Sequence, residues 1–477
     1  MKNIDKFFCY SLIGIAALVA AISLVFTNCG NMLTGDQSSP NSSLESGPEI
    51  VESDWEKPDW VNPPPAPGCS YVFFDSGDYS YSEFKHQIIV KGNKAAYPGV
   101  APEKIIPGLY KGDCGNSTFL GWFNGDDKWD FANNAVTRNV YLAARWDDPP
   151  RIGVGAMPGD NVIERAIAYV KAHPDPDGYT LYLGTDAEIK PQKIKADKFK
   201  LTLKGIHRER IISLSESTMG ALFVLGKWEG ENPNLKLETE FSLGKNITLK
   251  GKEGNNEALV VVGHYAAFTM LPGSKITGNV ICAINKAAGV ELVSGEKGYF
   301  FMKGGEITGN ENNYSGVIAE TPSAVLVPIT GSFAMEGGSI AGNAGGAGDI
   351  VFYVSNPSTD FEEKRALISG NSTIGRIAFA LPENSFSHYQ KFKIKIPPIW
   401  NPEGMAELNL SGNMSITSVK EWFTEKGSQL LEMEPSPNSS AVSMFKLGWF
   451  YSEDTLYDSS IPGEYCITDT GKLVKKW

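Results

Sequence analysis

Between residues 239 and 343 the apolar positions fall into one repeating frame. Phe268, Met270, Ile276, Gly278 and Asn279 are echoed by Phe301, Met302, Ile307, Gly309 and Asn310, and again by Phe333, Met335, Ile340, Gly342 and Asn343. The isoleucines lie 31 residues apart (Ile276 to Ile307) and then 33 (Ile307 to Ile340). A degenerate copy (Phe241, Leu243, Ile247) stands 29 residues before Ile276, and looser echoes occur at Ile368–Asn371 and Leu410–Asn413. Phe and Met two residues apart face one side of a strand. The Gly-Gly pairs supply backbone conformations closed to other residues, and Gly-Asn marks the next corner. Such a period, built of short apolar strands, signals stacked coils, because no single coil can bury its own apolar face. Helical repeats of similar length would not tolerate this much Gly and β-branching. The expectation is a β-solenoid in which Phe301, Ile307, Met335 and Ile340 share one core. Asn279, Asn310 and Asn343 should then align as a ladder of amides at one corner.

The pattern changes on either side of the coils. Gly159 and Asp160 offer a helix cap, Ile163, Ala166, Ile167 and Val170 share one helical face, and Pro174 ends the helix before a strand at Tyr179–Leu183. Residues 69–147 alternate turns with aromatic or β-branched runs at Tyr71–Ser76, Gln87–Lys91, Phe119–Phe123, Lys128–Phe131 and Val140–Trp146. Trp122, Trp129 and Trp146 are expected in core and turn packing rather than in a ligand platform. Residues 30–68 are dominated by Asn, Ser, Pro and Gly, with seven acids facing Lys57 alone. They carry too little apolar surface to fold and read as a tether, stiffened at its end by Pro63, Pro64, Pro65 and Pro67. At the start, Lys2 and Lys6 precede the uncharged apolar run Phe7–Thr27, the layout of an export signal. That run also approaches the roughly 20 residues of a bilayer span. Toward the end, Trp422, Phe423 and Leu447–Phe450 read as strands that cap the last coil.

Three stretches resemble known families. Val25–Gly30 resembles a bacterial lipoprotein processing site, with Phe26 and Asn28 in the looser form associated with spirochaetes. This implies that Cys29 becomes the lipidated first residue of the mature chain, anchored at the cell surface or in the periplasm, on the outer membrane. A retained transmembrane helix is the alternative. The succession Phe119–Phe123, Lys128–Phe131 and Val140–Trp146, after an early aromatic strand, resembles the Listeria–Bacteroides repeat. That module, of the internalin B type, is a small β-grasp unit, so the resemblance implies a stalk or adhesive role. It is present once, and Gly112–Asn116 is an atypical insert. The coil region resembles the Gly-rich, pectate-lyase-like right-handed β-helices of secreted bacterial proteins. The predicted organisation is therefore mainly β. It comprises a signal peptide (1–28), a disordered tether (29–68), a β-grasp domain (69–148), a right-handed parallel β-helix (149–430) and a C-terminal cap (431–477).

A net charge of −12, with no basic run, argues against nucleic acid as a partner. Of six cysteines, Cys9 lies in the signal and Cys29 at the processing site, and the others match no zinc spacing. Cys69 and Cys114 fall within one predicted small domain and form a candidate disulfide outside the cytoplasm. Cys282, in an apolar run, reads as a buried thiol. Resemblance to pectate lyases would require clustered Asp ligands with a nearby Arg. Resemblance to polygalacturonases would require Asp pairs, a Gly-His-Gly and an Arg-Ile-Lys, and neither set is present. Asp349, Asp360, Arg365 and Arg376 read as scattered, the five histidines as isolated, and Glu291, Glu296 and Glu306 as solvated. No cofactor or metal is implied. Tyr265, Tyr299 and Tyr314 are the candidate glycan contacts. The reading is a non-catalytic surface lipoprotein, adhesive or structural, meeting a glycan or protein. The alternative is a carbohydrate-binding protein or a polysaccharide lyase or hydrolase on the same scaffold.

Overall fold

A computed structural model of the chain describes residues 65–77, 80, 83–152, 161–226, 239–294, 297–314, 321–328, 330–353, 364–381, 392–396, 406–412, 431–433, 445–452, 465–468 and 473–475. The apolar leader, Cys29 and the tether up to residue 64 lie outside these residues. The described part is mainly β, with a single helix among the described residues. It divides into two compact units, one of 1–73, 85–97 and 129–142, the other of 74–84, 98–128 and 143–477.

In the first unit, Cys69–Val72 pair antiparallel with Gln87–Val90. Tyr71, Phe73 and His86 gather their rings within 5.3–5.9 Å of one another, and Asn139 Oδ1 accepts the Tyr71 amide at 2.9 Å. In the second unit, Thr118–Phe123 pair antiparallel with Ala143–Asp147 across a bulge near Leu120. Trp122 is buried there, its ring 5.1–5.7 Å from those of Phe74, Phe84 and Phe119. This is the core role expected of it.

Most of the second unit is a stack of parallel strands, consistent with a β-solenoid. Each coil contributes one strand to each of three rows. The first row runs Tyr179–Leu183, Phe199–Gly205, Thr239–Leu243, Ala266–Met270, Tyr299–Met302 and Ser332–Ile340. The second runs Ala187–Ile189, Arg210–Leu214, Ile247–Lys250, Ser274–Thr277 and Glu306–Thr308, ending on the back half of Ser332–Ile340. The third passes from Gln192–Ile194 through Phe223–Leu225, Val260–Val262, Val290–Leu292, Val325–Pro328 and Ile350–Tyr353 to Arg376–Leu381, and onward to Phe445–Ser452. Gly108–Lys111 pairs antiparallel with the first strand of the first row.

The register stacks like on like, as burial requires. Phe241, Phe268, Phe300 and Phe333 lie side by side, followed by Leu243, Met270, Met302 and Met335. In the second row Leu249, Ile276, Ile307 and Ile340 are aligned. The phenylalanines form a spine with ring centroids 6.3, 5.5 and 5.6 Å apart. Two positions differ from the sequence reading. Phe300, not Phe301, enters the core; Phe301 faces outward, half-buried. The partner of Ile276 is Leu249, so the early coil is two residues shorter in register than Ile247 suggests. Gly338 shows why the corner glycines are needed. Its φ is +91°, and a Cβ would meet the Gly305 carbonyl oxygen at 2.5 Å.

The first coil is closed by a helix, Val162–Ala172, whose Ile163, Ala166, Ile167 and Val170 join the same core as Phe199 and Phe223. Its cap is Asn161, whose Oδ1 accepts the Ile163 amide at 2.9 Å. The expected cap residues Gly159 and Asp160 lie outside the described residues.

The asparagine ladder is present and buried. Asn255 Nδ2 donates to Asn279 Oδ1 (3.0 Å), Asn279 N to Asn310 Oδ1 (3.2 Å), and Asn310 N to Asn343 Oδ1 (3.0 Å). Asn343 donates from both N and Nδ2 to Asp349 Oδ1, at 3.1 and 3.0 Å. The other Asp349 oxygen accepts the Arg376 amide at 2.8 Å.

Candidate functional site

Apart from Tyr182, which packs on Tyr110, the outward side chains of the first row are mostly short or polar, so the pair Tyr299 and Phe301 stands out. Tyr299 and Phe301 alternate outward between the buried Phe300 and Met302. Their rings are 6.2 Å apart with planes 12° from parallel. On the neighbouring rungs they meet Ala267 and Thr269 on one side and Ser332 and Ala334 on the other. These short side chains leave the two rings standing above the sheet.

Tyr265 belongs to the turn entering this row. It has a φ of +54°, unusual for a residue with a Cβ, and the turn is laced to its neighbours. Tyr265 N donates to Lys297 O at 3.1 Å, and Lys297 N donates back to His264 Nδ1 at 3.0 Å. Burial, and after it the neighbouring Tyr265, raise the Tyr299 hydroxyl above its ordinary value. Two tyrosines and a phenylalanine thus offer flat apolar faces with hydroxyl handles, suited to a ligand that is apolar on one side and polar at its edge. Tyr314 does not join them. It follows Glu311–Asn312 in a separate three-stranded sheet, its amide donating to Asn312 Oδ1 at 3.2 Å.

A polar concavity lies at the corner between the first and second rows. It encloses about 290 Å³ and is lined by Glu209, Asn246, Thr248, Ser274, Lys275 and Glu306. Lys275 Nζ and Glu306 are 3.3 Å apart, and the Thr248 hydroxyl donates to Glu209. The lining is polar and internally paired, so a ligand here must exchange hydrogen bonds with it. Glu306 is exposed, as expected of it.

Other predicted residues are placed differently. Cys282 is exposed rather than buried, because its strand ends at Ile281 and the chain turns outward. Cys69 and Cys114 are each half-buried. Asp349 and Arg376, scattered in sequence, meet at the end of the asparagine ladder with Arg376 Nε 3.4 Å from Asp349 Oδ2. Glu291 is half-buried rather than fully solvated, and its Oε2 is buried with no hydrogen-bond partner. Glu296, Asp360 and Cys29 lie outside the described residues. Among the described residues, no three His, Cys, Asp or Glu side chains gather to hold a metal ion, and no helix is long and apolar enough to cross a membrane. No protein family, curated protein or solved structure matches this chain.

Proposed function

We propose that this chain is an exported, lipid-anchored surface protein whose stacked coils serve contact or structure rather than catalysis. The observation that carries the reading is the outward aromatic pair Tyr299 and Phe301, set among short side chains on a sheet whose interior is closed by its own phenylalanine spine. A rigid parallel stack holds such a surface in fixed geometry at little entropic cost, which favours binding by contact. The finer architecture belongs to the same proposal: a right-handed, pectate-lyase-like coil, preceded by a β-grasp module at 69–148.

The anchor reading rests on Phe7–Thr27 and the processing-like Val25–Gly30. Replacing Cys29 with Ser should release the protein from membranes or block its processing. Unchanged mass and unchanged membrane partitioning would mean that the apolar run is retained as a helix.

A glycan is the second reading for the contacted partner, favoured by the Tyr265 and Tyr299 hydroxyls beside ring faces. A glycan array combined with polysaccharide degradation assays separates the possibilities. Binding without degradation supports a glycan-contact protein, degradation supports an enzyme, and neither points to a protein partner.

A further inference from the structure

The third row has an outward file as regular as its inward one. In register it runs Val224, Val261, Glu291, Leu326, Val351 and Ala378. Apart from the half-buried Val224 and Glu291, this outer face is covered. Val261 is 2% exposed, Leu326 6%, and Val351 and Ala378 0%. Ala258 packs with Val261, and Ala287 with Leu326 and Val351, from the turns that precede their strands. Glu291 therefore interrupts an apolar file, between two clusters of aliphatic side chains.

Its surroundings supply few donors. The carboxyl accepts a hydrogen bond from the Ala287 backbone amide, while Oε2 is buried with no partner. Among the described residues, the charged groups acting on it are Glu257 and Lys286, one from each covering turn. These two are already paired, with Lys286 Nζ 2.5 Å from Glu257 Oε1. The Lys286 turn is also held at other points: Asn312 Nδ2 donates to the Ala283 and Lys286 carbonyls at 2.9 Å each, Asn285 N donates to Thr321 Oγ1 at 3.3 Å, and Asn279 Nδ2 donates to the Ala288 carbonyl at 2.7 Å. The three ionisable side chains thus come from three separate segments, and they meet where a turn is fastened to the coil stack.

We propose that Glu291, with Glu257 and Lys286, forms a proton-binding site that fastens the 282–288 turn to the stack when Glu291 is protonated and loosens it when Glu291 ionises. A neutral carboxyl is tolerated between aliphatic side chains, whereas an ionised one needs donors that this position lacks. Ionisation also sets two carboxylates against one ammonium. Burial, and then the Glu257 charge, push Glu291 up to about 7, against the opposing pull of Lys286 and the Ala287 amide. The sign follows from a raised acid: attachment is full below the ordinary carboxyl range and weakens as pH climbs to about 7. What loosens is a surface turn bearing Ile284, 51% exposed, and the Cys282 thiol. Its removal would bare Leu326 and Val351. The face presented to a partner thus depends on acidity, whether or not the chain acts as the surface contact protein proposed above.

Hydrogen exchange on the full chain between pH 5 and 8, corrected for intrinsic rates, tests this. Protection across 286–292 should fall roughly tenfold per pH unit up to about pH 7 and then level off, while Ala266–Met270 stays constant. Glu291→Gln should hold the segment near its acid-side protection throughout. Glu257→Gln should shrink the fall, and Lys286→Met should extend it to higher pH. A flat profile in the unmodified protein would overturn the proposal, as would a fall that persists unchanged in Glu291→Gln.

Discussion

The asparagine corner and the outward file of the third row both bury polar atoms in the coil stack, and they do so with opposite results. At the asparagine corner, Asn310 is fully buried, and its Oδ1 accepts the Asn279 amide. Its Nδ2 lies within reach of the Ile276, Thr308 and Asn343 oxygens at 3.1–3.3 Å. At the outward file of the third row, Glu291 buries an oxygen with no donor at all. An amide both donates and accepts, so it can be repeated from coil to coil with each copy satisfying the next. An ionised carboxylate only accepts, so it can end such a series but cannot continue one. Asp349 shows this directly: it closes the ladder because Asn343 supplies donors on one side and Arg376 on the other. Glu291 has the same chemistry with one backbone donor, Ala287, and an Oε2 that has none. The difference is between satisfied and unsatisfied burial, and only the first adds stability.

The most severe way to break the comparison is to place an unsatisfied charge at the interior itself. Ile307 is fully buried between Ile276 and Ile340, so Ile307→Asp should unfold the stack, whereas Glu306→Asp, one residue away and exposed, should leave melting nearly unchanged. Next in size is the aromatic register. Phe300→Ala should cost about 3–5 kcal/mol as a buried aromatic truncation, and Phe301→Ala roughly 1 kcal/mol as the loss of a half-buried outward ring. Denaturant melts of both variants check this. Equal losses would mean that the strand is shifted by one residue.

That shift marks the limit of what the sequence pattern could decide. The period, the corner glycines and the ladder were legible because each recurs at a fixed place in every coil. Tyr299–Met302 is different, since four consecutive apolar residues satisfy either phase of a two-residue alternation. Only alignment with Phe268 and Phe333 chooses between them. Cys282 follows Val280 and Ile281 in an apolar run, but nothing in the run announces that the strand stops at Ile281. Glu291 looked solvated because alternation places it outside the coil. The outward neighbours Val261 and Leu326 on either side of it are covered by Ala258 and Ala287, contributed by turns whose path the pattern does not encode. The meeting of Asp349 with Arg376 was hidden for the same reason. On the outward rows, facing out and being exposed are separate properties, and here the turns decide between them.

The comparison can be tested in one experiment, thermal melting of Asn310→Ala and Glu291→Gln at pH 7.5 and at pH 5. Removing the Asn310 amide orphans the Asn279 N–H and takes a donor from the Ile276 carbonyl, so the variant should lose about 2–3 kcal/mol at both pH values. Glu291→Gln should instead gain stability at pH 7.5, on the order of 2–3 kcal/mol given a carboxyl raised from 4.5 to about 7. Most of that gain should vanish at pH 5, where Glu291 is already protonated in the folded protein. Opposite signs at pH 7.5, converging on the acid side for Glu291 alone, are the predicted result. Loss of stability in both variants at pH 7.5, or no loss in Asn310→Ala, would contradict the account.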